Sequence, residues 1–282
     1  MVINMNNLQN SIFYSIIIVC LNAGERLKDT IKSVLSQSYD NYEIVVKDGG
    51  SNDGSLEYLS KNIDSDKLRI YNKKDKSIYD AMNQAIKLAK GEYFIFLNAG
   101  DSFYDENVLK NITQGIADKK NEINKLPDIV YGNMYHKALD TIIYPSPMIN
   151  DFACYRNVPC HQTCFYHKSM FNDRGYNIKY NVRADYEHFL WCFYEKQAKI
   201  YYLPVMTAAY EGGGYSETKE NKKLSAMQHR EIVVKYMGKA KANRYRLMLL
   251  LTLAPLRSAM ADSKYFSSFY NAIKTFIYKV KG

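Results

Sequence analysis

The sequence has no apolar run long enough to cross a bilayer. Its longest, Leu247 to Ala254, falls far short of the ~20 residues a membrane-spanning helix takes. The first residues lack the basic stretch, apolar core and small-residue cleavage site of an export signal. Cysteine is sparse. Cys20, Cys154, Cys160, Cys164 and Cys192 are odd in number and scattered, which argues against a disulfide framework. A cytoplasmic protein is expected, at most peripheral on the inner face of the cytoplasmic membrane. Internal repeats and low-complexity stretches are missing. No Gly-x-Gly-x-x-Gly follows the first strand-like run, which disfavours a dinucleotide oxidoreductase. Cys160, His161, Cys164 and His167 lie close together, but their spacing matches neither a zinc finger nor a haem-attachment site.

What is present fits one large α/β domain, or one domain with a small appendage, in 282 residues. A hydrophobic content of 47% supports a full core. The 26 tyrosines suit sugar-binding clefts, since each ring offers an apolar face and a hydroxyl; compositional drift toward Tyr, Lys and Asn explains them equally well. The net charge of +9 is unevenly placed. Residues 235–282 hold ten basic residues and one acid, Asp262, leaving 28 of each sign in residues 1–234.

The organisation follows from periodicity. The β-branched runs Ser15 to Cys20 and Glu43 to Lys47, with Leu68 to Tyr71 and Tyr93 to Leu97, read as strands. Leu27, Ile31, Val34 and Leu35 define a helix over 25–36, and Tyr79, Met82, Ile86 and Ala89 one that follows Ser77-Ile78. Alternation of this kind implies a mostly parallel sheet flanked by helices. Further on, 128–131 reads as a strand ending before Gly132-Asn133. A helix is expected over 185–195, a strand interrupted by Pro204 over 201–210, a glycine-rich loop over 211–216 and a helix over 216–236.

Polar or glycine-rich segments follow the strands: Leu21-Asn22-Ala23-Gly24-Glu25, Asp48-Gly49-Gly50-Ser51-Asn52-Asp53-Gly54-Ser55, and Asn98-Ala99-Gly100-Asp101. In an open α/β sheet, ligands bind at that edge. With Ser77 to Asn83, Arg183 to Glu187 and Glu211 to Ser216, the chain resembles family 2 glycosyltransferases with the glycosyltransferase-A fold, and more closely the bacterial enzymes that build capsule, O-antigen and other exopolysaccharides. The resemblance implies a nucleotide-binding half over about 12–132, an acceptor half over about 133–234, and a basic helical tail over 235–282.

It also implies roles. Asp48 matches the family's base-contacting aspartate, serving a uracil imide or a guanine amide; read alone, it is equally a turn aspartate bonding its own backbone. Asp53 reads as a turn or cap residue. Leu21, Asn22, Glu25, Gly49, Ser77, Asp80 and Asn83, with Asn98, Ala99 and Gly100, complete the expected donor-contacting set. Ser77 to Asn83 opens a helix, where free N–H groups and the dipole attract phosphate. Asp101 stands in the metal-binding acidic motif and is expected to hold Mn²⁺ or Mg²⁺; the alternative is a cap on a helix starting near Asp105. Asn98 and Gly100 occupy positions where the family often has Asp. Asp185 is expected to be the catalytic base, with Glu187 the competing carboxylate and a helix cap the bland alternative. His161 would touch the diphosphate or the acceptor.

The activity implied is inverting, nonprocessive transfer from a UDP- or GDP-linked sugar to a saccharide or lipid-linked acceptor. A sugar nucleotidyltransferase would carry a glycine-rich basic loop after the first strand, which Leu21 to Glu25 is not. A degenerate binding module is the other alternative, and homo-oligomerisation is open. Nucleic-acid binding has no motif behind it. In the tail, Lys239, Lys241, Arg244 and Arg246 precede the leucine run, and Tyr265 to Ile277 has helical spacing. Together they suit an anionic membrane surface, or packing on the body or a second subunit.

Overall fold

The computed structural model describes residues 12–214 and 218–251. Among the described residues, nine strands form one sheet: β1 (Tyr14–Cys20), β2 (Tyr42–Asp48), β3 (Leu68–Asn72), β4 (Tyr93–Asn98), β5 (Ser102–Phe103), β6 (Ile129–His136), β7 (Thr141–Ile143), β8 (Cys164–His167) and β9 (Ile200–Tyr210). Their order is β3-β2-β1-β4-β8-β6-β9-β5, with β7 on β6. The first four strands are mutually parallel, as are β6 and β9, whereas β8 enters antiparallel between β4 and β6.

The described residues also form eight α-helices that flank the sheet: α1 (Glu25–Leu35), α2 (Ser55–Asn62), α3 (Ile78–Ile86), α4 (Val108–Ile123), α5 (Asp151–Arg156), α6 (Ala184–Tyr194), α7 (Lys219–Met237) and α8 (Lys239–Leu251). Side chains alternate across a strand, so β1 feeds two cores. Tyr14, Ile16 and Ile18 meet α1 and α4 through Leu27, Ile31 and Ile112; Ile17 and Val19 join the cluster holding Met82, Phe189 and Ile232. An unbroken apolar strand is what burial on both faces demands.

Eleven of the described tyrosines are buried in this interior. Tyr39, Tyr42, Tyr93, Tyr131 and Tyr186 are buried and donate their hydroxyls to the carbonyls of Ile12, Val34, Pro127, Ser146 and Cys154. They are core residues with satisfied tips.

Two local expectations change. β6 runs on through Gly132-Asn133 to His136. Gly132 is there for close approach: a Cβ would lie 2.1 Å from Thr207 Oγ1 and 2.5 Å from the Val205 carbonyl. The β6–β9 register shifts at this point, between Tyr131↔Tyr202 and Asn133↔Met206, so Pro204 lies in an irregularity inside one continuous strand. The helix expected near Asp105 begins at Val108 with Asn107 as its cap.

The α7 helix continues past residue 235 to Met237. Beyond it, α8 buries Ala242, pairs Lys241 with Asp151, and sets Tyr245 against Phe152 and Tyr155. Leu247, Leu250 and Leu251 remain exposed. The aromatic segment 265–277 lies outside the described residues. Among the described residues, no helix is long and apolar enough to cross a membrane.

Candidate active site

Parallel register carries the ends of β1, β2 and β4 to one edge: Cys20 sits beside Asp48, and Val19 beside Asn98. Chain order reverses between β1 and β4, and crevices form at such a switch point. The β1 and β2 loops are tied together. Asn22 N–H donates to Ser51 Oγ at 2.8 Å, Asn52 N–H to Asn22 Oδ1 at 2.9 Å, and Gly24 N–H to Asp53 Oδ2 at 2.8 Å. Leu21 projects here, 60% exposed.

Asp48 is fully buried and accepts from the N–H groups of Gly50 and Ser51, the turn arrangement that its sequence context allows. Beneath it, buried Lys47 donates to the Asp48 and Lys73 carbonyls and pairs with Asp75 Oδ2 at 3.2 Å. Asp75 also closes over Gly49, where a Cβ would sit 2.8 Å from its Oδ2. Neither Lys47 nor Asp75 was singled out by pattern. A lysine inside a strand and an aspartate in a polar loop carry no distinctive signal.

The α3 segment is mostly occupied with its own architecture. Ser77 caps the helix by accepting from Asp80 N–H, while Asp80 Oδ2 accepts in return from Lys76 N–H and from Gln84. The Ser77 hydroxyl thereby satisfies an orphan amide of the first turn, and Asp80 ties back the residue before the cap. Asn83 clasps the backbone of Tyr176 in both directions, at 2.7 and 2.8 Å. Glu25 lies exposed, paired with Lys28.

The chemistry converges around the short turn His161–Thr163 before β8. His161 Nδ1 lies 3.2 Å from Asp185 Oδ2, and its Nε2 lies 3.3 Å from the Asn98 amide nitrogen. The imidazole donates its Nδ1 proton to Asp185. Tyr79 donates to the other oxygen of Asp185 at 2.8 Å. The next residue, Gln162, donates to Asp101 Oδ2 at 2.8 Å, and Glu211 N–H reaches Asp101 Oδ1 at 3.1 Å. One turn thereby links Asn98, Asp101 and Asp185, which are distant in sequence. Gln162 and Tyr79 complete the set; Tyr79 had been absorbed into the helical core pattern, which its burial also satisfies.

The carboxylates differ electrostatically. Burial pushes Asp185 up, but the hydrogen bond and charge of His161, with the Tyr79 hydroxyl, outweigh it and hold the group at about 2. Its side chain stays 26% exposed. Asp101 is 4% exposed, and burial raises its pKa against the pull of Gln162, the Glu211 amide, His161 and Lys137. Glu187, two residues on from Asp185, is wholly buried; it binds Arg174 at 2.9 Å, Lys235 at 2.8 Å and Tyr236 at 2.6 Å, away from this cluster. Burial opposes its ionisation, but these partners hold its pKa below the ordinary value.

The corner beside Asp101 offers hard oxygens. Asn98 Oδ1 is buried without a partner. Gly100, at φ +109°, takes a backbone conformation that glycine adopts freely, and a Cβ there would meet Glu211 Oε2 at 2.0 Å. Among the described residues, no three His, Cys, Asp or Glu side chains gather as a self-sufficient metal site. The donor set therefore fits a hard divalent cation that takes few protein oxygens and completes its shell from phosphate and water. On its other side Asp185 lines a cavity of about 720 Å³ between β6, α5, α6 and α7.

Comparison with known proteins gives a consistent picture. Residues 15–181 match the model of glycosyl transferase family 2. A PGL/p-HBAD biosynthesis glycosyltransferase of Mycobacterium bovis (strain BCG / Pasteur 1173P2) is 32% identical over 210 residues, covering 73% of this chain and 79% of that protein. The crystal structure of S. aureus TarS 1-349 superposes with a TM-score of 0.63 at 16% identity, over 83% of this chain and 69% of that one. The mannosyltransferase PcManGT from Pyrobaculum calidifontis, in complex with GDP-Man and Mn²⁺, gives 0.61 at 13% identity, over 92% and 83%. These structural likenesses establish the glycosyltransferase-A fold.

Proposed function

The chain belongs to glycosyl transferase family 2, and on that premise we propose that it transfers a hexosyl unit, with inversion and without processivity, from a nucleotide-diphospho-sugar to a saccharide or lipid-linked saccharide in the synthesis of a bacterial surface polysaccharide. Asp185 carries this reading: an ionised carboxylate reaches the strand edge through His161 and Asn98 and faces a cavity on its other side. TarS has been crystallised with UDP and with UDP-GlcNAc, and PcManGT with GDP-Man, which supports a UDP- or GDP-linked donor here.

In this mechanism the acceptor hydroxyl oxygen attacks C1 of the donor sugar. The bond from C1 to the phosphate oxygen breaks, and the nucleoside diphosphate leaves with that electron pair. The hydroxyl proton passes to Asp185. A carboxylate held at about 2 is fully ionised near neutrality but weakly basic. That suffices if the proton moves late, because the attacking oxygen turns strongly acidic as its new bond forms. Tyr79 and His161 fix the direction of the carboxylate, the kind of positioning that a 1 Å error would spoil. Asp101 and Asn98 Oδ1 would hold Mn²⁺ or Mg²⁺, which when bound offsets negative charge on the departing diphosphate. At the strand edge, Asp48 and Leu21 would border the base. The exposed leucines of α8, beside Lys239, Arg244 and Arg246, support a peripheral membrane contact.

Asp185→Asn tests the assignment. Transfer, measured with a UDP- or GDP-sugar and an acceptor found by screening, should fall about 10²–10⁴-fold, the usual contribution of a positioned base. Nucleotide affinity should stay within about twofold of the parent, since the Asp185 carboxylate bonds to Tyr79 and His161 and to neither the β1 nor the β2 loop. Undiminished turnover would refute the assignment.

A further inference from the structure

The cavity beside Asp185 carries charge that glycosyl transfer alone does not require. Apolar side chains such as Met134, Ile143, Phe152 and Val158 form part of its wall, and the wall also contains Arg156, Arg183 and Lys222. Asp185 is the one carboxylate in the lining. Arg183 Nε donates to Ser225 Oγ at 2.7 Å, and its guanidinium lies over the Tyr186 ring at 5.5 Å; neither contact neutralises it. Arg156 and Lys222 are exposed and make no ion pair among the described residues. Nearby cations are matched differently: Lys241 pairs with Asp151, Lys179 with Glu231 and Lys235 with Glu187. Because residues 1–234 are neutral overall, three cations facing one pocket are a local arrangement and no reflection of a basic chain.

We infer that the acceptor is anionic: it bears a phosphate or carboxylate close to the hydroxyl that is glycosylated, with its apolar or ring face against Met134, Ile143 and Phe152. This rests on the transferase reading above. Arginine matches such oxyanions through its planar fork, and charge-assisted hydrogen bonds are the stronger kind. The cations also answer an electrostatic problem. An anion entering beside ionised Asp185 would be repelled, and three positive charges lining the same cavity reverse the sign of that field.

The test uses the full chain, saturated with UDP, and three probes: glucose 1-phosphate, glucuronate and neutral methyl glucoside, with binding followed by ligand-observed NMR. At least one charged probe should bind about tenfold or more tightly than methyl glucoside, as one charge-assisted contact would give. Comparing the two charged probes separates phosphate from carboxylate. The preference should vanish in Arg156→Gln/Lys222→Gln and persist in the charge-conserving Arg156→Lys/Lys222→Arg. Equal binding of all three probes, absence of binding by the charged ones, or a preference that survives the glutamine pair would overturn the inference. A glutamine pair that weakens UDP binding to the same degree would overturn it too, by assigning these cations to the donor. If UDP does not bind the parent protein at all, the transferase reading itself fails; if UDP binds normally and charge makes no difference, only the anionic acceptor is lost.

Discussion

On the proposed donor side of Asp185, the polar groups stand at the ends of the strands of a parallel sheet: Asn22 after β1, Asp48 closing β2, Asn98 closing β4 and Asp101 just beyond it. On the proposed acceptor side they come from β6, α5, the His161 turn, α6 and α7, with no repeating rule of placement. The donor side is also the more self-contained. Asp48, Asp53 and Asp80 all accept from nearby backbone amides, so loop shape is fixed by the same residues that the fold presents to a ligand. Across the boundary, Asp185 is held by residues 24 and 106 positions away, and Arg156 and Lys222 have no ion-pair partner among the described residues. A preorganised edge facing a less committed pocket is what a common donor chemistry and a variable acceptor would call for.

The largest effect that would sharpen this contrast concerns stability. Glu187 and Asp185 lie two positions apart, yet Glu187 is the buried anchor of Arg174, Lys235 and Tyr236. Glu187→Ala leaves those partners unmatched and should cost about 3–5 kcal/mol, read as a lowered denaturation midpoint, with donor affinity of the folded protein unchanged. A near-neutral Glu187→Ala that abolishes transfer would reverse the roles of the two carboxylates.

Next comes acid sensitivity. His188 is fully buried and stacks on Phe171 at 4.5 Å; burial, then the charge of Arg174, lowers its pKa to about 3. The folded state keeps it neutral, while the unfolded chain protonates it near 6.5. Its contribution is therefore complete above about pH 6.5 and is lost as pH falls toward 3, by at most about 1.4 kcal/mol per pH unit. Denaturant titrations of the parent and His188→Phe between pH 7 and 4 should diverge in slope; parallel curves would contradict the assignment.

Asp101→Ala tests the donor edge. It strands Gln162 and the Glu211 amide, worth about 1–3 kcal/mol in stability, and should abolish any gain in nucleotide affinity on adding Mn²⁺. An intact metal response would move the cation elsewhere. The smallest effect is expected from Asn83→Ala, about 1–2 kcal/mol for two lost hydrogen bonds to Tyr176, with nucleotide affinity kept. Weakened nucleotide binding at equal stability would bring Asn83 back to the donor.

The sequence made β1, β2 and β4 legible because short β-branched or aromatic runs buried on both faces read as strands, and parallel order then brings their ends together. Gly132 misled because a glycine at a close strand crossing looks like one at a turn. Tyr79 was hidden because one side chain both fills the α3 core position and reaches Asp185. Gln162 and Asp75 depend on contacts with residues 61 and 28 positions away, which no local pattern encodes. The cations around the cavity stand at the end of α5, just before α6 and on α7, and only packing reveals that they share a wall.

The account stands most directly on one titration: the full-length protein with UDP and with GDP, each with and without Mn²⁺, followed by calorimetry. It predicts saturable binding of one of the two nucleotides, tightened by Mn²⁺. Failure of both to bind a demonstrably folded sample would contradict it, and would leave the strand edge as inherited architecture without donor chemistry.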